Sequence, residues 1–400
     1  NVFSRPMIDS PERLIARAET DPAVSAVLLT SGKSAFLAGA DLEMIQMFTE
    51  RGRSGNTEEL NTLFGRLGRL FRRLERAPRP FVAAINGLAL GGGLEVSLAC
   101  HARVVADDPA IMLGLPEIKL GLLPGAGGTQ RLPRLIGTRK GLEMLLSGEP
   151  VAPAEALQLG LVDEVVQREH LIEVARRRAL SIALPAARWD QDGASFQSAP
   201  FDFSHPESAF AAIAAAVGIT DYQLRHYPAY RAIMRCVVGG WNLAMTAASE
   251  HEMRVFVELM RNPVAGNMVR TLFLNRQKAA KLGLLASNSP LATGDGALLP
   301  RVQQAHSRVR SLECDEEERL LALALAALRS WGEGRVEHPE MADVAVVSAG
   351  LYPSYTGGPF NYARQRGLDD LRRRAQAALA KNAEVFELPA GVDRFFQAAA

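Results

Sequence analysis

Three cysteines in 400 residues, Cys100, Cys236 and Cys314, stand far apart and are odd in number. Neither a disulfide framework nor a thiolate metal site is suggested. No run of about 18 apolar residues is present, so no membrane-spanning helix is expected. Charge of one sign is missing as well: 45 Lys and Arg face 44 Asp and Glu, for a net charge of +1. Nothing in that balance points to nucleic acid or a membrane surface, although a local basic patch could still meet a phosphate. The seven histidines form no metal pattern. His251-Glu252 begins like H-E-x-x-H, but Val255 stands where the second histidine belongs. P-loop and G-x-S-x-G elements are absent. The nearest approach to a dinucleotide fingerprint is Gly125-Ala126-Gly127-Gly128-Thr129-Gln130, with Gln130 in the place of the third glycine. No metal and no nicotinamide is implied, and no cofactor is expected.

What is present is an ordinary globular composition, 48% hydrophobic and 22% charged. The length allows two or three domains of about 150 residues each. The chain opens at Asn1 without an initiator methionine and shows no signal peptide, so the cytoplasm is the default expectation.

Chemistry concentrates in residues 80–134. Phe81–Ile85 is a short apolar run closed by Asn86-Gly87, the pattern of a buried strand entering a turn. Gly91-Gly92-Gly93 follows and leads directly into the helical pattern Leu94–Cys100. Glycines at a helix start leave the first N–H groups bare and open to close approach, at the positive end of the helix dipole. Glu95 lies within that first turn. Pro116-Glu117 supplies a second carboxylate, and the glycine-rich loop Leu123–Gly128 comes next. Two carboxylates beside bare backbone donors suggest acid–base chemistry on a carbonyl whose oxygen becomes anionic.

The rest of the chain frames this stretch. Pro11–Glu19 reads as a helix and Ser25–Thr30 as a strand. Leu60, Leu63, Phe64, Leu67, Leu70, Phe71 and Leu74 repeat at the spacing of one amphipathic helix, which stops before Pro78. Helices are expected over Gly127–Leu135, Arg139–Leu146 and Pro153–Gln158, and a strand over Leu161–Val166. Strands alternating with helices indicate an α/β layered domain. Leu184–Ser208, rich in Pro, Ser, Asp and Gly, reads as a linker or an extended covering segment. Residues 209–283 are mostly helical. After a loop-like Gly283–Pro300 the chain is helical to its end, with Glu316–Leu328 apolar nearly all round, as in a helix buried on most sides.

Four blocks, FLAGADL (Phe36–Leu42), INGLALGGGLE (Ile85–Glu95), GLPEIKLGLLPGAGGTQRLPRLIG (Gly114–Gly137) and SGEPVAPAEALQLGLVDEVV (Ser147–Val166), resemble the enoyl-CoA hydratase/isomerase (crotonase) family in content and order. The likeness is strongest to the hydratase half of multifunctional fatty-acid oxidation alpha subunits. Val344–Val347 leads into Ala349–Phe360, a block similar to the C-terminal helical domain of 3-hydroxyacyl-CoA dehydrogenases. Too few residues follow Gly283 for the nucleotide-binding domain of roughly 150 residues that such an enzyme needs, so a remnant without dehydrogenase activity is expected. Family members carry a further strand or two before the position of Asn1, so a trimmed start is also expected.

The resemblance implies a crotonase spiral of ββα units over 1–183, a linker over 184–208, a helical connector over 209–283 that covers the hydratase site, and a helical remnant over 284–400. It implies hydration of a trans-2-enoyl-CoA, with CoA as part of the substrate. Glu95 and Glu117 match the catalytic pair, and the backbone N–H groups of Ala40 and Gly92 match the oxyanion hole. Ala38, Gly39, Asp41 and Gly125 match substrate-binding positions, Ala38 lining the CoA adenine site and Gly125 lying against the catalytic water and the thioester. Isomerases of the family commonly lack one of the two glutamates, which favours the hydratase. A Δ3,Δ2-enoyl-CoA isomerase and a non-catalytic acyl-CoA-binding or scaffolding subunit remain as alternatives. A homo-oligomer or a thiolase-type partner subunit is the expected assembly.

Overall fold

The computed structural model describes residues 2, 5–39, 42–183 and 186–397, and their side chains except at 5–8, 42, 43 and 53. Two of the expected site residues, Ala40 and Asp41, lie outside the described residues. The chain divides into two compact units, Asn1–Ala265 and Gly266–Ala400.

Among its described residues the first unit carries seven short strands: β1 (Val27–Leu29), β2 (Leu37–Ala38), β3 (Phe81–Ile85), β4 (Ala89–Leu90), β5 (Ala102–Ala106), β6 (Leu113–Gly114) and β7 (Glu164–Val166). They form two all-parallel sheets, one ordered β1-β3-β5-β7 and the other β2-β4-β6. Successive strands thus alternate between sheets, and a helix follows each of the first three pairs, which is the spiral of ββα units. β3 and β5 are buried along their whole length, as strands covered on both faces must be. In the smaller sheet the register pairs Ala38 with Leu90 and Leu90 with Gly114. Since the strands are parallel, the residues just beyond that row leave the sheet at one common edge. They are Gly39, Gly91 and the Leu115–Glu117 turn. Carboxyl ends of parallel strands are where α/β sheets form their sites.

The stripe Leu60–Leu74 makes two helices, Thr57–Phe64 and Arg66–Glu75. Gly65 separates them, its N–H donating to Asn61 O at 3.0 Å to close the first. Leu60, Phe64, Leu70, Phe71 and Leu74 are buried as core. Helices Gly128–Ile136, Thr138–Ser147 and Pro153–Gln158 form close to their expected bounds. Residues 186–203 are irregular yet packed: Trp189 Nε1 donates to Glu75 Oε1 at 2.8 Å, Thr138 Oγ1 donates to Ala199 O at 2.7 Å, and Phe201 and Phe203 are buried. This stretch therefore lies on the first unit as a covering segment. Helices Pro206–Val217, Asp221–His226, Pro228–Gly240 and Met245–Arg261 complete the unit. Gln130 Nε2 donates to Cys236 O at 2.8 Å, and Arg134 donates to Gly240 O at 2.7 Å and Trp241 O at 2.9 Å, so the helix after the glycine loop is tied to Pro228–Gly240.

The second unit is helical. Glu316–Gly332 runs through its core with every residue from Leu320 to Leu328 buried, and Leu298–Arg310, Pro339–Ser348, Pro359–Arg366 and Leu368–Ala378 are further helices of the unit. An Asp315–Glu318 capping box starts the central helix. This unit begins at 266, earlier than the expected 284. The reason is polar anchoring: Asn267 Nδ2 donates to Tyr355 O at 3.0 Å, Thr271 Oγ1 to Gly357 O at 2.8 Å and Asn275 Nδ2 to Glu340 O at 3.3 Å. Among the described residues no helix is long and apolar enough to cross a membrane.

Candidate active site

The smaller sheet brings Gly39 and Gly91 together. A Cβ built on Gly91 would lie 2.7 Å from Glu117 Oε1 and 3.5 Å from Gly39 Cα. Gly91 also has φ +56°, so both its backbone conformation and the room it leaves for Glu117 require glycine. Its neighbour Gly93 permits another close approach: a Cβ there would meet Leu37 O at 2.0 Å. The start of helix Gly92–Ala99 thereby sits directly against β2. Gly92 is the first helical residue, so its N–H has no intrahelical acceptor. It keeps partial exposure between the buried Gly91 and Gly93. Ala38 and Gly39 are half-buried at the same edge.

Glu95 is buried, and its Oε1 accepts from Ala126 N and Gly128 N, both at 2.8 Å. Burial pushes its carboxyl up, opposed by those two backbone donors and by the Arg131 guanidinium. Glu117 follows β6 on a short 3-10 turn, Pro116–Leu120. The residue as a whole is half-buried, while its Oε2 is shut off from solvent with no hydrogen-bond partner. Desolvation, and next the Glu95 charge, hold its carboxyl well above the usual range, with Glu252 adding in the same direction. The two carboxylates thus have different surroundings: one is anchored by backbone donors, the other is dry and incompletely bonded.

The glycine loop is fixed from behind. Arg131 is fully buried and donates through Nε to Glu75 Oε1 at 2.8 Å, through one terminal nitrogen to Glu75 Oε2 at 3.1 Å, and through the other to Ala126 O at 2.9 Å. Gly125 is half-buried, and a Cβ there would meet the Phe256 ring at 3.1 Å. Phe256 itself packs with Phe48 and Phe64, at centroid distances of 6.2 and 5.8 Å. A cavity of 280 Å³ is lined by Gly125, Gly127, Glu252, Asn61 and Gly68 among others.

Sequence reasoning missed Glu252, Glu75, Arg131 and Phe256. For Glu252 a signal existed: with Met245, Ala248, Val255, Phe256 and Leu259 it lies on the buried face of Met245–Arg261, and a carboxylate in an apolar stripe calls for partners. Glu75 carries the same signal beside Leu70, Phe71 and Leu74.

Residues 1–191 match the sequence model of the family described as enoyl-CoA hydratase/isomerase. These residues, just under half of the chain, carry its likeness to that family. It is 35% identical over 271 residues to the fatty acid oxidation complex subunit alpha of Shewanella halifaxensis, covering 68% of this chain and 37% of that one. The same subunit of Idiomarina loihiensis is 37% identical over 275 residues, again covering 68% and 37%. The chain therefore spans little more than a third of the length of these relatives. Among solved structures, an enoyl-CoA hydratase from Bacillus anthracis is 32% identical, over 57% of this chain and 87% of that one, with a TM-score of 0.41.

Proposed function

We propose that the chain is an enoyl-CoA hydratase, adding water syn across a trans-2-enoyl-CoA to give a 3-hydroxyacyl-CoA in fatty-acid β-oxidation. The observation that carries this reading is the unequal pair of carboxylates. Glu117, shut off from solvent at Oε2 and pushed well up by burial and the Glu95 charge, is the better proton donor of the two. Glu95, anchored on two N–H groups and near Arg131, is the better anion. Groups whose environments push their proton affinities apart divide into acid and base, although in a coupled pair both steps belong to the pair.

In the reaction the thioester oxygen lies against the Gly92 N–H and, as the family resemblance implies, that of Ala40. Water attacks C3 while Glu95 takes its proton. The C2–C3 π pair moves toward the thioester, building enolate charge that fixed backbone dipoles stabilise without reorganising. Glu117 then delivers its proton to C2, and transfer from Glu95 to Glu117 through the next water restores the pair. Isomerisation of a 3-enoyl thioester needs only one carboxylate to move a proton between C2 and C4, and the unpartnered Oε2 of Glu117 suits that second reading. Likeness to alpha subunits of a fatty acid oxidation complex supports a place in a larger assembly, with a thiolase-type partner as the candidate.

The test is loss of the conjugated thioester's ultraviolet absorbance on adding crotonyl-CoA, with Glu95→Gln and Glu117→Gln alongside. Turnover that collapses in both variants is expected. Turnover of a 3-enoyl-CoA alone would replace hydration by isomerisation, and acyl-CoA binding without any turnover would leave a binding subunit.

A further inference from the structure

Four successive backbone N–H groups where the glycine loop enters its helix are divided between two carboxylates. Ala126 N and Gly128 N donate to Glu95 Oε1 at 2.8 Å each. Gly127 N donates to Glu252 Oε1 at 2.6 Å, and Thr129 N donates to Glu252 Oε2 at 3.1 Å. The Thr129 hydroxyl also donates to Glu252 Oε2. Both carboxylates are buried, Glu95 from the helix Gly92–Ala99 and Glu252 from the helix Met245–Arg261. The alternation means that the loop cannot move relative to Glu252 without changing both bonds that hold Glu95. Arg131 closes the arrangement by taking the Ala126 carbonyl.

We propose that Glu252 is a positioning residue for the acid–base reaction: it fixes the glycine loop so that the Ala126 and Gly128 N–H groups hold Glu95 in one place. The kinetic test of this role rests on the hydratase reading; its structural test does not. Glu252 is surrounded by charge. Glu95 and Glu117 act on it or are acted on by it from one side, Arg131 and Arg134 from the helix Gly128–Ile136, and Cys236 from the helix Pro228–Gly240. Burial, and next the Glu95 charge, raise the Glu252 carboxyl to about 8, so its negative charge develops as pH rises through that value and there helps keep the proton on Glu117; neutralising it lets Glu117 ionise at lower pH.

Glu252→Gln keeps the side-chain volume but turns a donor toward Thr129 N. Three changes are expected: kcat on crotonyl-CoA falls roughly 10- to 100-fold with KM within about twofold, the alkaline fall of kcat moves to lower pH, and the Ala126 and Gly128 amides exchange with deuterium faster. Glu252→Asp, which keeps the charge, should recover part of the pH shift. Parent-like kcat, pH profile and amide exchange in Glu252→Gln overturn the proposal. If that variant does not fold, Thr129→Val removes the hydroxyl bond to Glu252 together with the acceptor for Gln130 Nε2 and should show the same changes in smaller measure; parent-like behaviour there overturns it equally. A parent that hydrates no enoyl-CoA, with the amide-exchange difference still present, removes the hydratase reading and leaves the positioning role standing.

Discussion

The two units each hold buried carboxylate at a helix start marked by paired glycines. In the second unit it is Asp343, whose Oδ1 accepts from Phe360 N at 2.8 Å and Oδ2 from Asn361 N at 3.0 Å. Gly358 leaves room for it, since a Cβ there would lie 2.5 Å from the Asp343 carboxyl. In the first unit, Glu95 and Glu252 share the start of Gly128–Ile136, and Glu117 stands nearby with one oxygen unpartnered. Asp343 is thus bonded through both oxygens and finished, a cap that closes Gly357-Gly358-Pro359-Phe360 onto its neighbour. The other arrangement crowds three carboxylates and leaves one incomplete. Buried polar groups are normally satisfied, and Glu117 Oε2 is not.

The sharpest way to break this contrast is to neutralise each side. Glu117→Gln should lower turnover of crotonyl-CoA by about 100-fold or more while leaving the melting temperature near the parent's, because no bond of Oε2 is lost. Next in size, Arg131→Met leaves Glu75 with Arg72 and Trp189 but without its bidentate partner, and frees the Ala126 carbonyl; since breaking a buried pair outright costs about 3–5 kcal/mol, a loss toward the lower end is expected, read by denaturant unfolding. Asp343→Ala should cost about 1–3 kcal/mol, as loss of a cap leaves two buried N–H groups unpaired, with turnover per folded molecule unchanged. A comparable loss of turnover would unmake the distinction between finished and unfinished sites.

Asp343 also predicts a pH dependence. Burial raises its carboxyl to about 8, against the two backbone donors. The folded state then binds more protons than the unfolded one between the ordinary carboxyl range and about 8, so its contribution to stability falls as pH rises through that window. Melting temperatures between about pH 5 and 8 should decline less in Asp343→Asn than in the parent. The smallest expected effect is at Gly125→Ala, whose Cβ would press on Phe256 at 3.1 Å. Phe256→Leu should restore most of the lost turnover. If the crowding came instead from the thioester, as the family resemblance implies for this glycine, the second substitution would restore nothing.

Much of the first unit was legible because its signals are local. Gly91-Gly92-Gly93 before a helix, Glu95 in its first turn and Glu117 after β6 each follow from neighbouring residues. Their convergence depends on the register of a three-stranded sheet made of two-residue strands, too short for any periodicity to reveal. Glu252 carries a local signal as a carboxylate on an apolar helix face, but its partners lie more than 120 positions away, and no spacing rule spans that. The single helix expected over Leu60–Leu74 became two because apolar spacing persists across Gly65, while the hydrogen-bond ladder does not.

The central claim is that Glu95 and Glu117 put water onto C3. The direct measurement is turnover of crotonyl-CoA in heavy-oxygen water, with the product read by mass spectrometry. The account predicts a 3-hydroxyacyl-CoA carrying one heavy oxygen at C3, formed by the parent and not by Glu95→Gln or Glu117→Gln. A shifted double bond with no oxygen taken up, or labelled product in undiminished yield from either variant, would contradict it.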